Sequence, residues 1–127
     1  MTMKTLLSPM LSVRRGSEAI RFYQTALGAE LLFRIDDEAG DVVAQLAVDG
    51  AEFWVHDESP EHANFSPESL NGSTTRMVLV VNDPDVVFER MINAGATAVS
   101  LVQEQHGWRI GRACDPYGHH WEIGKKL

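Results

Sequence analysis

The second half of this sequence repeats the first at a spacing of 67 to 68 residues, and that echo restricts the fold more than any single motif does. Val13 and Val81 are 68 positions apart, Gly28 and Gly95 are 67, and Gly50 and Gly118 are 68. Repeats of this kind are read before individual elements, because each copy is one structural unit. The first copy begins with the apolar run Met10 to Val13 and continues into a helical stretch, Ser17 to Leu27, with Ile20, Tyr23 and Leu27 on one face. Ser17 is placed to cap that helix and Gly28 to close it in the left-handed conformation. Two strand-like runs follow, Val42 to Val48 and Glu52 to His56, joined by Asp49-Gly50, a two-residue hairpin signal. The second copy begins with the strand Met77 to Val81. Asp83 is its helix cap and Pro84 the first helical residue, Val87, Met91 and Ala94 form the buried face, and Gly95 is the stop. Strands around Val99 to Gln103 and Arg109 to Cys114, the turn Asp115-Pro116-Tyr117-Gly118, and a last strand from His119 to Gly124 complete it. The reading is an α+β chain of two βαβββ modules, at about 1–56 and 74–127, with helices at about 17–27 and 84–94. The polar stretch 57–73, holding Pro60, Pro67 and Gly72 and lacking periodicity, is their connection.

At 127 residues the chain has the size of one domain. With 44% hydrophobic and 23% charged residues it has the makings of a packed core. A formal net charge of −7 argues against nucleic acid, whose binding depends on clustered Lys and Arg. The single cysteine, Cys114, excludes an internal disulfide and a zinc ribbon and fits a reducing, cytoplasmic setting. No apolar segment has the length of a membrane span, so no membrane partner is expected.

Strand alternation separates the residues that carry chemistry. Glu52, Trp54 and His56 share one face of their strand, while Phe53 and Val55 share the other, the expected core face. Trp54 is then a candidate stacking wall and His56 a candidate hydrogen-bonding or acid/base group; a partly exposed strand face with an ordinary histidine is the alternative. His119 and His120 point to opposite sides, so only His120 accompanies Glu122. Trp108 lies in the hairpin-like segment Gln105 to Arg109, where a recognition role and a plain turn are both open. Cys114 has no histidine partner in the pattern, which leaves little basis for a nucleophile.

Two local motifs stand in register with the repeat. Arg21-Phe22-Tyr23 followed by Leu27-Gly28, and Asp115-Pro116-Tyr117-Gly118-His119, resemble motifs of the glyoxalase/bleomycin-resistance/dioxygenase, or vicinal oxygen chelate, superfamily. The resemblance covers nearly the whole chain. It implies modules that each curl a sheet into half of an open barrel, with a ligand site in the concavity and, in many members, completion across a homodimer. It also implies four metal positions, which fall here on Ser8, Trp54, Arg76 and Glu122. Only Glu122 is a ligand type that such sites use, and Arg76 puts a permanent cation where a dication would sit. The expectation is therefore a chain with no metal at that position and no cofactor. Arg76 and Glu122 would pair within hydrogen-bonding reach, and if buried, losing one partner would cost about 3–5 kcal/mol. The cavity would be lined by Ser8, Trp54, His56, Arg76, Trp108, His120 and Glu122. The resemblance implies a homodimer that binds or sequesters an apolar or aromatic small molecule. Two rivals stay open: a divalent-metal lyase, isomerase, thiol transferase or extradiol dioxygenase of the same fold, and a metal-free enzyme with Glu122 or His120 as general base.

Overall fold

A computed structural model describes residues 2–127; Met1, the first residue of the expected module one, lies outside them. Module one runs β1 (Met10–Val13), α1 (Gly16–Leu27), β2 (Glu30–Asp36), β3 (Val42–Val48) and β4 (Ala51–Asp57). A single 3-10 turn (Pro60–His62) and the short helix α2 (Pro67–Leu70) lie in the connection. Module two runs β5 (Arg76–Val80), α3 (Pro84–Ala94), β6 (Thr97–Gln105), β7 (Trp108–Cys114) and β8 (His120–Lys126). Each module forms a four-stranded mixed sheet, ordered β1-β4-β3-β2 in one and β5-β8-β7-β6 in the other. In both, the first strand lies parallel beside the last, and the other pairs are antiparallel. The two sheets share no strand pair, so the chain forms no closed barrel. No helix among the described residues is long and apolar enough to cross a membrane.

The structure departs from the sequence reading in three places. Module one has a strand, β2, that alternation did not reveal: all seven of its residues are exposed, and a register shift between Leu31 and Phe33 breaks the period of two. The connection expected to be irregular holds α2, capped by the Ser66 side chain, which accepts from the Ser69 backbone N–H. Ser17 lies inside α1 rather than at its cap, and its hydroxyl accepts from Arg34 at 2.9 Å. The end of α1 is served instead by Asp57 at the end of β4, whose carboxylate accepts from the Gly16 and Val42 N–H groups at 2.8 and 2.7 Å. A carboxylate beside the first helical N–H groups is favoured by the helix dipole. Gly16 makes the approach available, because a Cβ there would lie 2.6 Å from an Asp57 carboxylate oxygen.

Elsewhere the local signals hold. Asp83 caps α3 through the Val86 N–H, and Gly28 closes α1 in the left-handed conformation at φ 64°. Asp49-Gly50 turns with both φ angles positive, 48° and 84°, as a type I′ hairpin requires, and His106-Gly107 does the same between β6 and β7.

Both helices and the inner faces of both sheets share one core. Tyr23 of α1 lies edge-on to Phe53 of β4 and tilted against Trp121 of β8, with centroids 5.4 and 5.5 Å away. Asp115, buried in the β7–β8 turn, joins the modules chemically: it accepts from the Tyr23 hydroxyl at 2.5 Å, the Trp121 indole N–H at 2.9 Å, and the Tyr117 and His119 backbone N–H groups. The two family-like motifs therefore meet each other in the core. Burial, reinforced by the Asp115 charge, pushes the Tyr23 phenol well above its ordinary value and keeps it a donor.

Candidate functional site

With one face of each sheet on the helices, the other face is open, and the residues singled out by alternation lie there. On sheet one, β4 presents Trp54 and His56. The parallel register sets Met10 of β1 beside Trp54 and Ser12 beside His56, while β3 adds Gln45 and Val43. Beyond the shift in β2, Phe33 and Ile35 return to the same face, paired with Gln45 and Val43. The Phe33 ring meets the Trp54 ring nearly edge-on, centroids 6.1 Å apart. The Ser12 hydroxyl and His56 Nε2 are 2.7 Å apart, and Gln45 donates to Glu52 at 2.6 Å. Burial lowers the His56 pKa, so the ring is neutral near pH 7. This face is an aromatic and aliphatic wall with a polar edge.

The open face of sheet two is of a different kind. β5 contributes Arg76, Val78 and Val80, β8 His120 and Glu122, and β7 Arg112 and Cys114. Arg76 and Glu122 form an ion pair, Nη1 to Oε1 3.7 Å, which lies beyond hydrogen-bond distance. The expected hydrogen-bonded pair is therefore corrected to a looser ion pair, and because the Arg76 side chain is 54% exposed the cost of a buried pair does not apply; it is worth at most about 1 kcal/mol. The cause is register: β5 sets Arg76 beside His120 and Val78 beside Glu122, so the guanidinium reaches its partner diagonally. Arg112 Nε donates to His120 Nδ1 at 3.1 Å. An imidazole that accepts at Nδ1 is neutral and carries its proton on Nε2. Burial first, then the Arg112 charge, lowers the His120 pKa in keeping with that state. His119 turns the other way and places Nε2 2.9 Å from the Ser12 carbonyl oxygen, a bond between modules.

Two predicted residues stand apart. Ser8 precedes β1 by two positions and lies on no strand. Trp108 opens β7 opposite Lys126, on the side of Arg112 but four residues away, about 13 Å along the strand. Burial raises the Cys114 thiol pKa, which suits a protonated structural cysteine.

Alternation along β7, two residues back from Cys114, was the signal available for Arg112, and pairing β1 with β4 was the signal for Ser12. Phe33 was masked by the register shift in β2.

Within the chain the residues are gathered into two groups, Phe33–Trp54 with Ser12–His56, and Arg76–Glu122 with Arg112–His120. No side-chain hydrogen bond or ion pair among the described residues joins one group to the other. A cleft of about 390 Å³ lies between β1, β5 and the connection, lined by Met10, Ser12, Phe65, Leu70, Met77 and His119 among others; none of the seven predicted residues lines it. As a donor set, a serine hydroxyl, an indole, a guanidinium and one carboxylate do not fit a divalent ion, which needs several converging O or N ligands. Among the described residues no group of three His, Cys, Asp or Glu side chains is placed to hold one.

Paired βαβββ modules with an open face on each sheet define the structural class. Residues 10–124 match the Glyoxalase-like domain family, and the chain belongs to that family, within the vicinal oxygen chelate superfamily. It is 36% identical over 126 residues to the Mycobacterium bovis protein Mb0911c, covering 95% of this chain and 83% of that one. Among solved structures it resembles TioX from a Micromonospora species, with TM-score 0.71 and 25% identity over 97% of this chain and 100% of that one. It also resembles the fosfomycin resistance protein FosX of Listeria monocytogenes, determined with Mn(II) and sulfate, with TM-score 0.73 and 14% identity over 99% and 95% of the two chains. At that identity the FosX likeness shows the fold alone.

Proposed function

We propose that this chain is a metal-free small-molecule-binding member of its superfamily, and that two copies complete a cavity in which an apolar or aromatic compound is held. The observation that carries this reading is the open face of sheet one. Trp54 and Phe33 form an edge-to-face pair there, flanked by Met10, Val43 and Ile35, large apolar residues that are 51%, 37% and 55% exposed. An aromatic wall left open to water is a binding surface in want of a cover. The open face of sheet two supplies the polar complement, and a twofold pairing that lays sheet one of each copy against sheet two of the other gives two equivalent cavities. Such cavities would carry Trp54 and His56 on one wall and Arg76, His120 and Glu122 on the other, with Ser8 and Trp108 at the margins.

The metal-free part of the reading rests on the donor set already described. Purified protein analysed for Mn, Fe, Ni and Zn, and titrated calorimetrically with each divalent ion, is expected to show no stoichiometric metal. The neutral dye Nile red is expected to bind with quenching of Trp54 fluorescence, and Trp54→Ala to abolish that signal. A tightly bound divalent ion on Glu122 would return the metal-dependent lyase, isomerase, transferase or dioxygenase reading to first place.

A further inference from the structure

The charge pattern on sheet two points beyond a generic apolar ligand. Most arginines of this chain have a carboxylate partner: Arg14 with Glu58, Arg15 with Glu18 and Glu68, Arg34 with Asp36, Arg76 with Glu122, and Arg109 with Asp85 and Glu104. Among the described residues, Arg21, Arg90 and Arg112 have none within 4.0 Å. Arg21 and Arg90 lie on exposed helix positions where water solvates them, whereas Arg112 is half-buried in the middle of a sheet. The register sets Arg112 directly opposite Glu122, yet the ion pair that Glu122 makes is with Arg76, on the far side of β8. Arg112 is instead steadied through Nε by His120, a neutral acceptor. Its two terminal nitrogens make no hydrogen bond among the described residues. A half-buried guanidinium held by one edge, with no carboxylate within 4.0 Å, is a preformed fork for a planar oxyanion, since parallel N–H bonds from Arg match a carboxylate in geometry.

We propose that Arg112 is the anchor for the ligand's carboxylate, and that the ligand is a flat aromatic monocarboxylate whose ring rests on the Trp54–Phe33 wall. The inference depends on the two-copy cavity proposed above, because Arg112 and Trp54 belong to different sheets. The local charge sets the valence. On the open face Arg76 and Arg112 supply two positive charges and Glu122 one negative, leaving one positive charge beside a neutral His120; Asp115, the other charge that acts on His120, is buried on the core side among its own four donors. That balance matches a single carboxylate and disfavours a dianionic phosphate, whose second negative charge would find no cation left to meet it once Arg76 is paired with Glu122.

The test uses the full chain and an isosteric probe pair, 2-naphthoate and the neutral 2-naphthamide, titrated calorimetrically at low salt. Wild-type protein is expected to bind 2-naphthoate at least about tenfold more tightly than 2-naphthamide, because truncating a charge-assisted pair in a half-buried site costs on that order. Arg112→Gln is expected to erase the preference while retaining amide binding, and Arg112→Lys to keep part of it. The acid/amide comparison on wild-type protein stands even if a variant folds poorly. Equal binding of the two probes overturns the carboxylate anchor and leaves the cavity reading intact, while a preference that survives Arg112→Gln overturns the role of Arg112. Failure of both probes to bind wild-type protein overturns the cavity reading and this inference together.

Discussion

In module one the open sheet face carries Phe33, Ile35, Val43 and Trp54 beside the polar Gln45, Glu52 and His56, while in module two the equivalent face carries Arg76, Arg112, His120 and Glu122 beside the exposed Val78 and Val80. Strand order, parallel first-to-last pairing and the glycine-stopped helix are the same in both. The repeat has thus kept what the core needs and let the open faces diverge, one towards aromatic contact and the other towards charge. Such divergence is what two halves of one cavity require, because a ligand with an apolar body and a polar end must be met by unlike walls. The helices differ as well. α1 buries seven residues, among them Tyr23 and Ile20, whereas α3 buries Pro84, Phe88 and Met91. Module one therefore contributes more to the shared core, and module two ties itself to it through Asp115.

The largest effect should come from cutting that tie. Asp115→Ala leaves the Tyr23 hydroxyl, the Trp121 indole N–H and two backbone N–H groups without their acceptor in a buried site. Urea denaturation is expected to show a loss of about 3–5 kcal/mol, and a loss below about 1 kcal/mol would mean that the modules cohere without this hub.

Next come two neighbours on one strand. Phe53 is 3% exposed on the core face and Trp54 lies on the open face. Phe53→Ala should cost about 3–4 kcal/mol through lost burial and a cavity, and Trp54→Ala about 1 kcal/mol while removing ligand binding. Equal stability losses from the two variants would contradict the division into a core face and a functional face.

The smallest effect is a matter of pH. His56 and His120 both have pKa values lowered in the folded chain, chiefly by burial. The unfolded chain then takes up protons first, so the stability these groups contribute is present above about pH 6.5 and is lost as pH falls through their folded pKa values. NMR titration should place both midpoints below that of an exposed histidine. Arg112→Gln should raise the His120 midpoint and leave that of His56 unmoved; the same shift at both would mean that the two open faces are electrostatically one site within a single chain.

Much of this fold was legible in the sequence because its signals are local. A glycine after α1 and after α3, Asp83 before α3 and Asp49-Gly50 in a hairpin each specify a backbone conformation by their own chemistry. β2 was hidden because its register shift destroys the alternation that identifies strands, and the cap of α1 was misread because the capping carboxylate, Asp57, lies 41 residues away from the Gly16 N–H it accepts. The site divides in the same way. Trp54 and His56 follow from counting along β4, and His120 and Glu122 from counting along β8. The lone charge of Arg112 depends on where Glu122 finds its partner, which is set by pairing across β5, β8 and β7. The pairing register of distant strands has no local sequence signature.

Mixing two defective variants is the most direct test of the central claim, that the aromatic wall of one copy and the charged wall of another enclose one ligand. Trp54→Ala and Arg112→Gln are each expected to lose high-affinity 2-naphthoate binding. If each cavity takes sheet one from one copy and sheet two from the other, a mixed dimer holds one cavity with both defects and one with neither. An equimolar mixture, unfolded and refolded together, is then expected to recover about a quarter of the wild-type sites at full affinity. Recovery of none, with each variant folded and dimeric, would place both walls in the same chain and contradict the account.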